Sequence, residues 1–379
     1  MKQIVKVTAI LAVAAGLLAW FFGQVDAAGV IAALRQMNGW WMAGALFFTL
    51  AHYALRAWRW RLLMTPIRPH VPYRSLLDAV LAGYAVTFLV TRVGEIVRPA
   101  YLARRERLPF AGTLMTVGLD RLLDAGAIAV LLVSYFLMGP VSGPGALAPG
   151  FHGPMRTRGV IAGGVIVAVF GILALLARRR RKKGIRPEDA QIYRGGLARW
   201  THGIMDGLGV LESGRGLAGA GLQSIVIWLV LCAQVFCGVR AFGIDLPYVA
   251  SFVVIPFLAL GIAMPLPGGV GGYHAAGRFA LVQVLGVGQT VAVTSILVLH
   301  LVSVLPAILL GSWVIARDGV SVRELVRSRP ESHAGASGHG APSEADGEQP
   351  GEPGRSAMPA EEEPRVAGGA ALGIERPRT

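Results

Sequence analysis

Long stretches of this chain carry no Asp, Glu, Lys or Arg, among them residues 36–55, 159–177, 216–239, 246–277 and 279–316. A helix needs about 20 apolar residues to cross the hydrocarbon core of a bilayer. Several of these stretches are long enough to cross, and the last two are long enough for more than one element. They run continuously instead of alternating, which argues against a transmembrane β-barrel. A chain of 379 residues that is 54% hydrophobic and only 15% charged is not an ordinary soluble domain. The expected fold class is therefore all-α, a polytopic helical membrane protein.

The net charge of +14 is uneven. Residues 318–379 carry 7 basic against 11 acidic side chains, and the rest of the chain carries 29 against 11. In a membrane protein such a surplus marks cytoplasmic loops and the attraction of anionic lipid headgroups. No nucleic-acid module is visible, so nucleic acid is not an expected partner. Cys232 and Cys237 sit five apart in an apolar run. They do not share a helical face and read as packing residues, not as a disulfide framework or a metal site. Residues 1–318 read as the transmembrane domain. Residues 319–379 read as a disordered cytoplasmic tail, turning from about Ser328 to Gly, Pro, Ala, Ser and Glu, which cannot bury a core.

Charge and breakers give a topology. Lys2 and Lys6 precede an apolar run ending near Phe22, read as an uncleaved first span over 4–22. A second span over 40–55 has Trp40 and Trp41 at one interface and Trp58 and Trp60 at the other. Arg56, Arg59, Arg61, Arg68 and Arg74 then mark a cytoplasmic loop. Residues 75–91 are short, contain Asp78 and have basic residues on both flanks. That pattern predicts a re-entrant hairpin, whose irregular backbone must be shielded or line a cavity. Spans over 113–139, 159–177 and 216–239 follow, with the strongly basic 178–199 on the cytoplasmic side. Residues 246–289, broken by Pro247, Pro256, Pro265, Pro267 and a glycine-rich turn, predict a second hairpin. A last span covers 291–316.

The count is six crossings and two hairpins, with both termini cytoplasmic; counting the hairpins as crossings gives eight. Each half runs span, span, hairpin, span in opposite orientation. Paired broken segments in inverted halves point to a transporter's central site, although no residue-level repeat is legible.

Three groups of residues carry the chemistry. Arg92, Glu95 and Arg98 lie at i,i+3 spacing, which sets one carboxylate between two guanidiniums on a helical face. Gly94 and Pro99 predict a backbone that departs from a plain helix. Arginine suits phosphate because its planar fork donates two hydrogen bonds at once. The alternative is a juxtamembrane patch that fixes topology. Asp120, Arg121 and Asp124 share a helix about two turns into an apolar run, either pairing with Arg92 and Arg98 or taking part in proton coupling; the alternative is a structural ion pair. Gly268, Gly269 and Gly271 allow close backbone approach. The half-helix after them would aim free N–H groups at an anion, with His274 and Arg278 at i,i+4. His52 and His300 read as packing or interhelical hydrogen-bond residues. No nucleophile elbow, HExxH or metal-ligand cluster is present in the sequence, so no cofactor or metal is expected.

The string Arg-Val-Gly-Glu-Ile-Val-Arg-Pro from Arg92, Asp-Arg-Leu-Leu-Asp from Asp120 and Pro-Leu-Pro-Gly-Gly-Val-Gly from Pro265 together resemble the flippase-like family of the lysylphosphatidylglycerol synthase transmembrane region. The resemblance covers about residues 5–318. It implies a polytopic inner-membrane protein that moves a lipid between leaflets. In bifunctional members a separate soluble domain makes the aminoacylated lipid; this chain has no such domain, so synthesis is not expected. Many relatives carry a glutamate soon after the glycine-rich turn, where this chain has His274.

The expected function is transport of an anionic or polyprenyl-phosphate-linked lipid across the bacterial inner membrane, with a partner enzyme on the cytoplasmic face. Alternatives are a membrane-embedded enzyme or glycosyltransferase accessory acting on a lipid carrier, and a scaffold recruiting partners through its tail.

Overall fold

In the computed structural model the described residues are 27–90, 93–140, 142–148, 214–264 and 266–320, with single helical positions between 157 and 168. The expected first span over 4–22, most of the span over 159–177, the basic run 178–199 and the tail from 321 lie outside them. By proximity the chain divides into units 1–331 and 332–379, and every described residue belongs to the first.

The described residues are almost all helical, with no strand among them. A short α1 (Ala27–Arg35) precedes α2 (Gly39–Met64). Asn38 starts α2 by accepting from the backbone N–H groups of Trp40 and Trp41 at 3.0 and 3.4 Å, which satisfies donors left open at a helix N-terminus. The expected span over 40–55 is corrected here. The helix runs on to Met64, and Arg56 and Arg59 are buried on it instead of starting a loop.

Helices α3 (Tyr73–Val90) and α4 (Gly94–Glu106) follow. The expectation of an irregular backbone at 94–99 is also corrected, because this stretch is α-helix with Pro99 inside it. Gly94 serves a different need. A Cβ there would lie 2.1 Å from the Gly83 carbonyl oxygen, so α3 and α4 touch backbone to backbone. Arg107, the one described non-glycine residue with positive φ (53°), caps α4 in the left-handed conformation. Helix α5 (Phe110–Met138) starts after Pro109.

The second half repeats the plan. Helix α6 (Gly214–Arg240) leads to α7 (Ser251–Ala263), a turn at Pro267–Gly269 and α8 (Gly272–Arg278). Helix α8 runs into a π-helical turn (Phe279–Val284), and α9 (Gln289–Arg317) closes the bundle. A Cβ on Gly272 would lie 2.5 Å from the Gly261 carbonyl oxygen, and one on Gly261 would lie 2.5 Å from that of Gly272. The same spacing in sequence separates Gly83 from Gly94 and Gly261 from Gly272. These glycine pairs are a residue-level repeat that the sequence alone did not reveal.

The helix contacts repeat as well. Helix α2 packs on α6. Contacts α2–α3, α3–α4, α4–α5 and α3–α9 have counterparts in α6–α7, α7–α8, α8–α9 and α7–α5. The first half gathers its core around Trp60, Leu76, Val80 and Leu102, and the second around Cys232, Val253, Leu281 and Ile296. Three helices, Phe110–Met138, Gly216–Arg240 and Gln289–Arg317, are long and apolar enough to cross a membrane. At 1.5 Å rise per residue, α4 and α7 each reach only about 20 Å.

Candidate functional site

Charge is carried deep into the bundle from three helices. On α2, Arg59 donates from Nε and Nη2 to Asp120 Oδ1 at 2.9 and 2.6 Å, from Nη2 to Asp124 Oδ1 at 2.8 Å and from Nη1 to Ser224 Oγ at 2.7 Å. One turn earlier, Arg56 reaches Asp120 Oδ2 at 3.3 Å and Asp124 Oδ2 at 2.8 Å, and its Nε donates to His52 Nε2 at 2.8 Å. From α4, Arg98 Nη1 donates to Asp120 Oδ2 at 2.9 Å. The Trp228 indole N–H on α6 reaches Asp124 at 3.0 Å. Breaking one partner out of such a set strands a buried charge, which costs about 3–5 kcal/mol.

The two remaining charges differ. Arg121 on α5 pairs with Glu95 on α4 and reaches Asp124 at 3.5 Å. Their side chains keep 43% and 31% of their surface accessible, against at most 6% for Arg56, Arg59, Arg98, Asp120 and Asp124. An arginine this accessible, held closely by Glu95 and only at 3.5 Å by Asp124, can exchange partners; Arg59 cannot.

A cavity of about 350 Å³ opens beside this pair. Arg56, Glu95, Arg121 and Asp124 form the charged part of its wall, with the neutral His52 beside them. Ile128 on α5, Trp228 and Leu231 on α6, and Ile255, Leu258 and Ile262 on α7 form an apolar part. Tyr84, Thr87 and Phe88 come from α3, and Tyr273 from α8. Both helical hairpins thus face one cavity, which joins ionic and greasy surface.

The expected site residues fall into different places. Arg92 lies outside the described residues. Glu95 does not sit between two arginines of its own helix, since it turns to Arg121 while Arg98 turns to Asp120. The neighbouring helix offers each a closer partner than the i,i+3 spacing does. Arg98 is 3% exposed and does not line the cavity. Its guanidinium lies 4.1 Å from the Trp60 ring centroid. That cation–π contact compensates Nε and Nη2, which have no hydrogen-bond partner among the described residues.

Asp120, Arg121 and Asp124 do come together with α4, as their spacing allowed. Arg56 and Arg59 were missed, because an arginine at the end of an apolar run reads as an interface marker. No local signal in the sequence set them apart, because Arg92 and Arg98 already match Asp120 and Asp124 in number.

The glycine turn is built differently from the expected anion site. Gly268, Gly269 and Gly271 have φ of 64°, 68° and 85°, a region that L side chains rarely adopt. None of the three lines the cavity. Gly271 N–H donates to His274 Nδ1 at 3.3 Å, His274 Nε2 meets His300 Nδ1 at 3.2 Å, and His300 Nε2 meets the Gly268 carbonyl at 2.9 Å. One proton per ring satisfies the whole chain. His274 accepts at Nδ1 and donates at Nε2, and His300 does the same, ending on the carbonyl. Two neutral histidines therefore staple the turn to α9, and Tyr273 stacks on His300 with centroids 4.5 Å apart. Arg278 reaches Gln289 at 3.5 Å, away from the cavity.

Residues 7–311 match the profile of the family described as the lysylphosphatidylglycerol synthase TM region. The chain belongs to this family. As a member of the lysylphosphatidylglycerol synthase TM-region family it is an integral membrane protein tied to phospholipid metabolism or transport. No curated protein matches it.

In this family member a second ionic group ties the end of α9 to the first hairpin. Asp318 accepts from Arg317 at 2.7 Å, from Arg105 at 2.8 Å and from Tyr101. Asp78 accepts from Arg105 at 2.9 Å and from Arg317 at 2.7 Å. The Arg317 hydrogen bond, helped by Tyr101 and Arg105, holds the Asp318 carboxyl at about 2, below its ordinary value.

Proposed function

We propose that this protein moves a phosphate-bearing lipid between the leaflets of the cytoplasmic membrane. The reading rests on one observation: both hairpins face a single cavity whose wall combines an exchangeable Arg121–Glu95 pair with a broad apolar surface. A lipid headgroup needs a dehydrated cationic partner, and its glycerol and acyl region need apolar contact. Few other ligands need both at once.

The roles differ from those drawn from sequence. Arg121 engages the headgroup phosphate, and Glu95 holds its fork in place until the lipid arrives. Arg98, Arg56, Arg59, Asp120 and Asp124 form the rigid floor that fixes α2, α4 and α5. Gly268, Gly269 and Gly271, with His274, shape the tip of the second hairpin, and Arg278 anchors its far end to Gln289. The tip rests near α3, since a Cβ on Gly268 would lie 3.3 Å from the Phe88 carbonyl oxygen.

In this reading α3–α4 and α7–α8 are re-entrant hairpins of opposite orientation, because α4 and α7 are too short to cross a core of about 30 Å. The repeated helix contacts and the two glycine pairs support an inverted repeat of this kind. Arg61, Arg68, Arg104, Arg105 and Arg317 support a cytoplasmic orientation for that end of the bundle, as the positive-inside rule favours.

Full-length protein reconstituted in phosphatidylcholine vesicles is expected to speed the loss of inner-leaflet fluorescence from a labelled anionic phospholipid after dithionite is added. Rates equal to protein-free vesicles across several headgroups would exclude the reading.

A further inference from the structure

Both hairpins are gripped by α9, but by different parts of it. The N-terminal part holds the second hairpin. His300 meets the Gly268 carbonyl at 2.9 Å and His274 at 3.2 Å, and its ring stacks on Tyr273. One turn earlier, Ile296 packs on Gly277, where an added Cβ would lie 2.8 Å from Ile296 Cδ1. The C-terminal part holds the first hairpin. A Cβ on Gly311 would lie 2.2 Å from the Leu81 carbonyl oxygen, so α9 and α3 touch backbone to backbone. Arg317 and Asp318 then bind Asp78, Tyr101 and Arg105. Pro306 stands between the two grips. It has no N–H to give the Val302 carbonyl, and its ring crowds that carbonyl, so the helix bends most easily there. The shift in sequence that carries Gly83 to Gly261 and Gly94 to Gly272 sets Ile128 of α5 against Pro306, and α5 contains no proline. Only one half of the repeat has this joint.

The hairpins are also fixed by different forces. Charge ties the first. Arg98 shares Asp120 with Arg56 and Arg59 of α2, and Asp78 and Arg105 are bound to the end of α9. Separating the buried partners would strand a charge. The second hairpin has little charge to be tied by: α7 carries none, and α8 carries only Arg278, which reaches Gln289 of α9. Toward α2 and α6, the N-terminal part of α9 makes neutral hydrogen bonds. Tyr53 Oη donates to the Ser303 carbonyl, and Gln234 Nε2 donates to Ser303 Oγ at 2.6 Å. Such bonds contribute little net stability each. The base of the second hairpin is pinned instead. Tyr135 of α5 donates to the Gly145 carbonyl at 2.7 Å. Gly145 lies against Pro247, just before α7, and the Ala148 N–H donates to the Val284 carbonyl at 2.8 Å, at the end of the π-helical turn. Both legs are thus held at the base, while the tip is bound to α9.

We infer that the second hairpin and residues 289–305 of α9 swing as one body against the rest of the bundle, pivoting at the pinned base and bending α9 at Pro306. The inference says how the cavity changes width; it rests on the transport reading for its consequence, not for the motion. The swinging body carries one wall of the cavity, with Ile255, Leu258, Ile262, Tyr273 and Ser303, while Glu95 and Arg121 stay on the other. The swing therefore leaves that ion pair in place. The contacts it gives up to Tyr53 and Gln234 are neutral, whereas moving the first hairpin would pull charges apart. A hinge of this kind absorbs the motion at a few positions and leaves the packed bodies on either side unchanged.

Spin-label distances in full-length protein, carrying Cys232→Ala and Cys237→Ala and reconstituted in vesicles of phosphatidylcholine and phosphatidylglycerol, test the motion directly. Leu260 on α7, Leu89 on α3 and Leu301 on α9 are all exposed sites for Cys substitution. The pair Leu89→Cys and Leu260→Cys spans the two bodies and is expected to show two distances, reduced to one by Pro306→Ala. The pair Leu260→Cys and Leu301→Cys lies within the swinging body and is expected to show one. A single distance across the bodies, or two within the swinging one, would overturn the inference. Disulfides give the transport arm. A Cβ on Gly238 of α6 would lie 2.5 Å from Leu299 Cδ1, so Gly238→Cys with Leu299→Cys brings two thiols within bonding reach across the boundary. Dithionite-accessible movement of labelled phosphatidylglycerol is expected to be lost in the bonded protein and to return with reductant. Gly277→Cys with Ile296→Cys makes a bond inside the body and is expected to leave the rate unchanged. Two distances across the bodies with no lipid movement by any unbonded protein support the swing and sink the transport reading. Movement that continues through the Gly238–Leu299 bond sinks the swing.

Discussion

Arg59 and Asp120 meet in a two-pronged ion pair that solvent does not reach on either side. The pair joins α2 to α5 at the depth where the cavity wall begins, and Arg98 adds α4 through the same carboxylate. Asp120→Ala would leave three guanidiniums buried around an empty site. The expected cost is about 3–5 kcal/mol, seen as lost folded yield and a lower melting temperature in detergent. Glu95→Gln removes one member of a partly solvated pair, worth about 0–1 kcal/mol. It is expected to melt near the wild type.

The glycine contacts give a pair of opposite outcomes. Gly94→Ala or Gly272→Ala puts a methyl against backbone that has nowhere to move, and the expected loss is about 1–3 kcal/mol or more. Gly118→Ala, in the interior of α5 where nothing lies within 4 Å of the added Cβ, is expected to gain up to about 1 kcal/mol from helix propensity. Thermal melts of the three variants in one detergent check both signs.

The histidine chain predicts local loosening. His300→Phe keeps an aromatic ring to stack on Tyr273 but releases the Gly268 carbonyl and the second nitrogen of His274. Hydrogen exchange over residues 266–274 is expected to speed up by up to roughly tenfold, the equivalent of one net hydrogen bond. Exchange in α5 is expected to stay unchanged.

Acid should loosen the end of α9. The Asp318 carboxyl is held at about 2, below its model-compound value of 3.8. A depressed carboxyl contributes stability at higher pH and loses it as the carboxylate is protonated. The Arg317, Tyr101 and Arg105 contacts should therefore be intact at neutral pH and weaken as pH falls from about 4 to about 2. The melting difference between wild type and Asp318→Asn is expected to be largest near neutrality and to vanish over that window.

Much of the helical plan was legible in the sequence, because uncharged runs and proline or glycine breaks are local signals. The break at the Pro267–Gly269 turn and the start of α5, expected at 113 and found at Phe110, were both visible this way. Partner choice was not. Arg98 and Arg121 look alike along the chain, and only the packing of α4 on α5 and α2 buries the first and leaves the second on the cavity. Arg56 and Arg59 carry the positive-inside signature, yet α2 continues past them because Asp120 and Asp124 compensate their charge. The glycine repeat escaped notice because each glycine is ordinary alone and gains meaning only when two helices touch. His300 gave no local hint that it completes a turn far away in sequence.

The central claim is that Arg121, not Arg98, meets the lipid phosphate. Arg121→Gln in full-length protein, reconstituted in phosphatidylcholine vesicles with tail-labelled phosphatidylglycerol, tests it most directly. The account predicts a wild-type melting temperature together with dithionite-accessible movement cut at least roughly tenfold, the loss of one charge-assisted hydrogen bond to phosphate. Movement at the wild-type rate in a folded Arg121→Gln protein would contradict it.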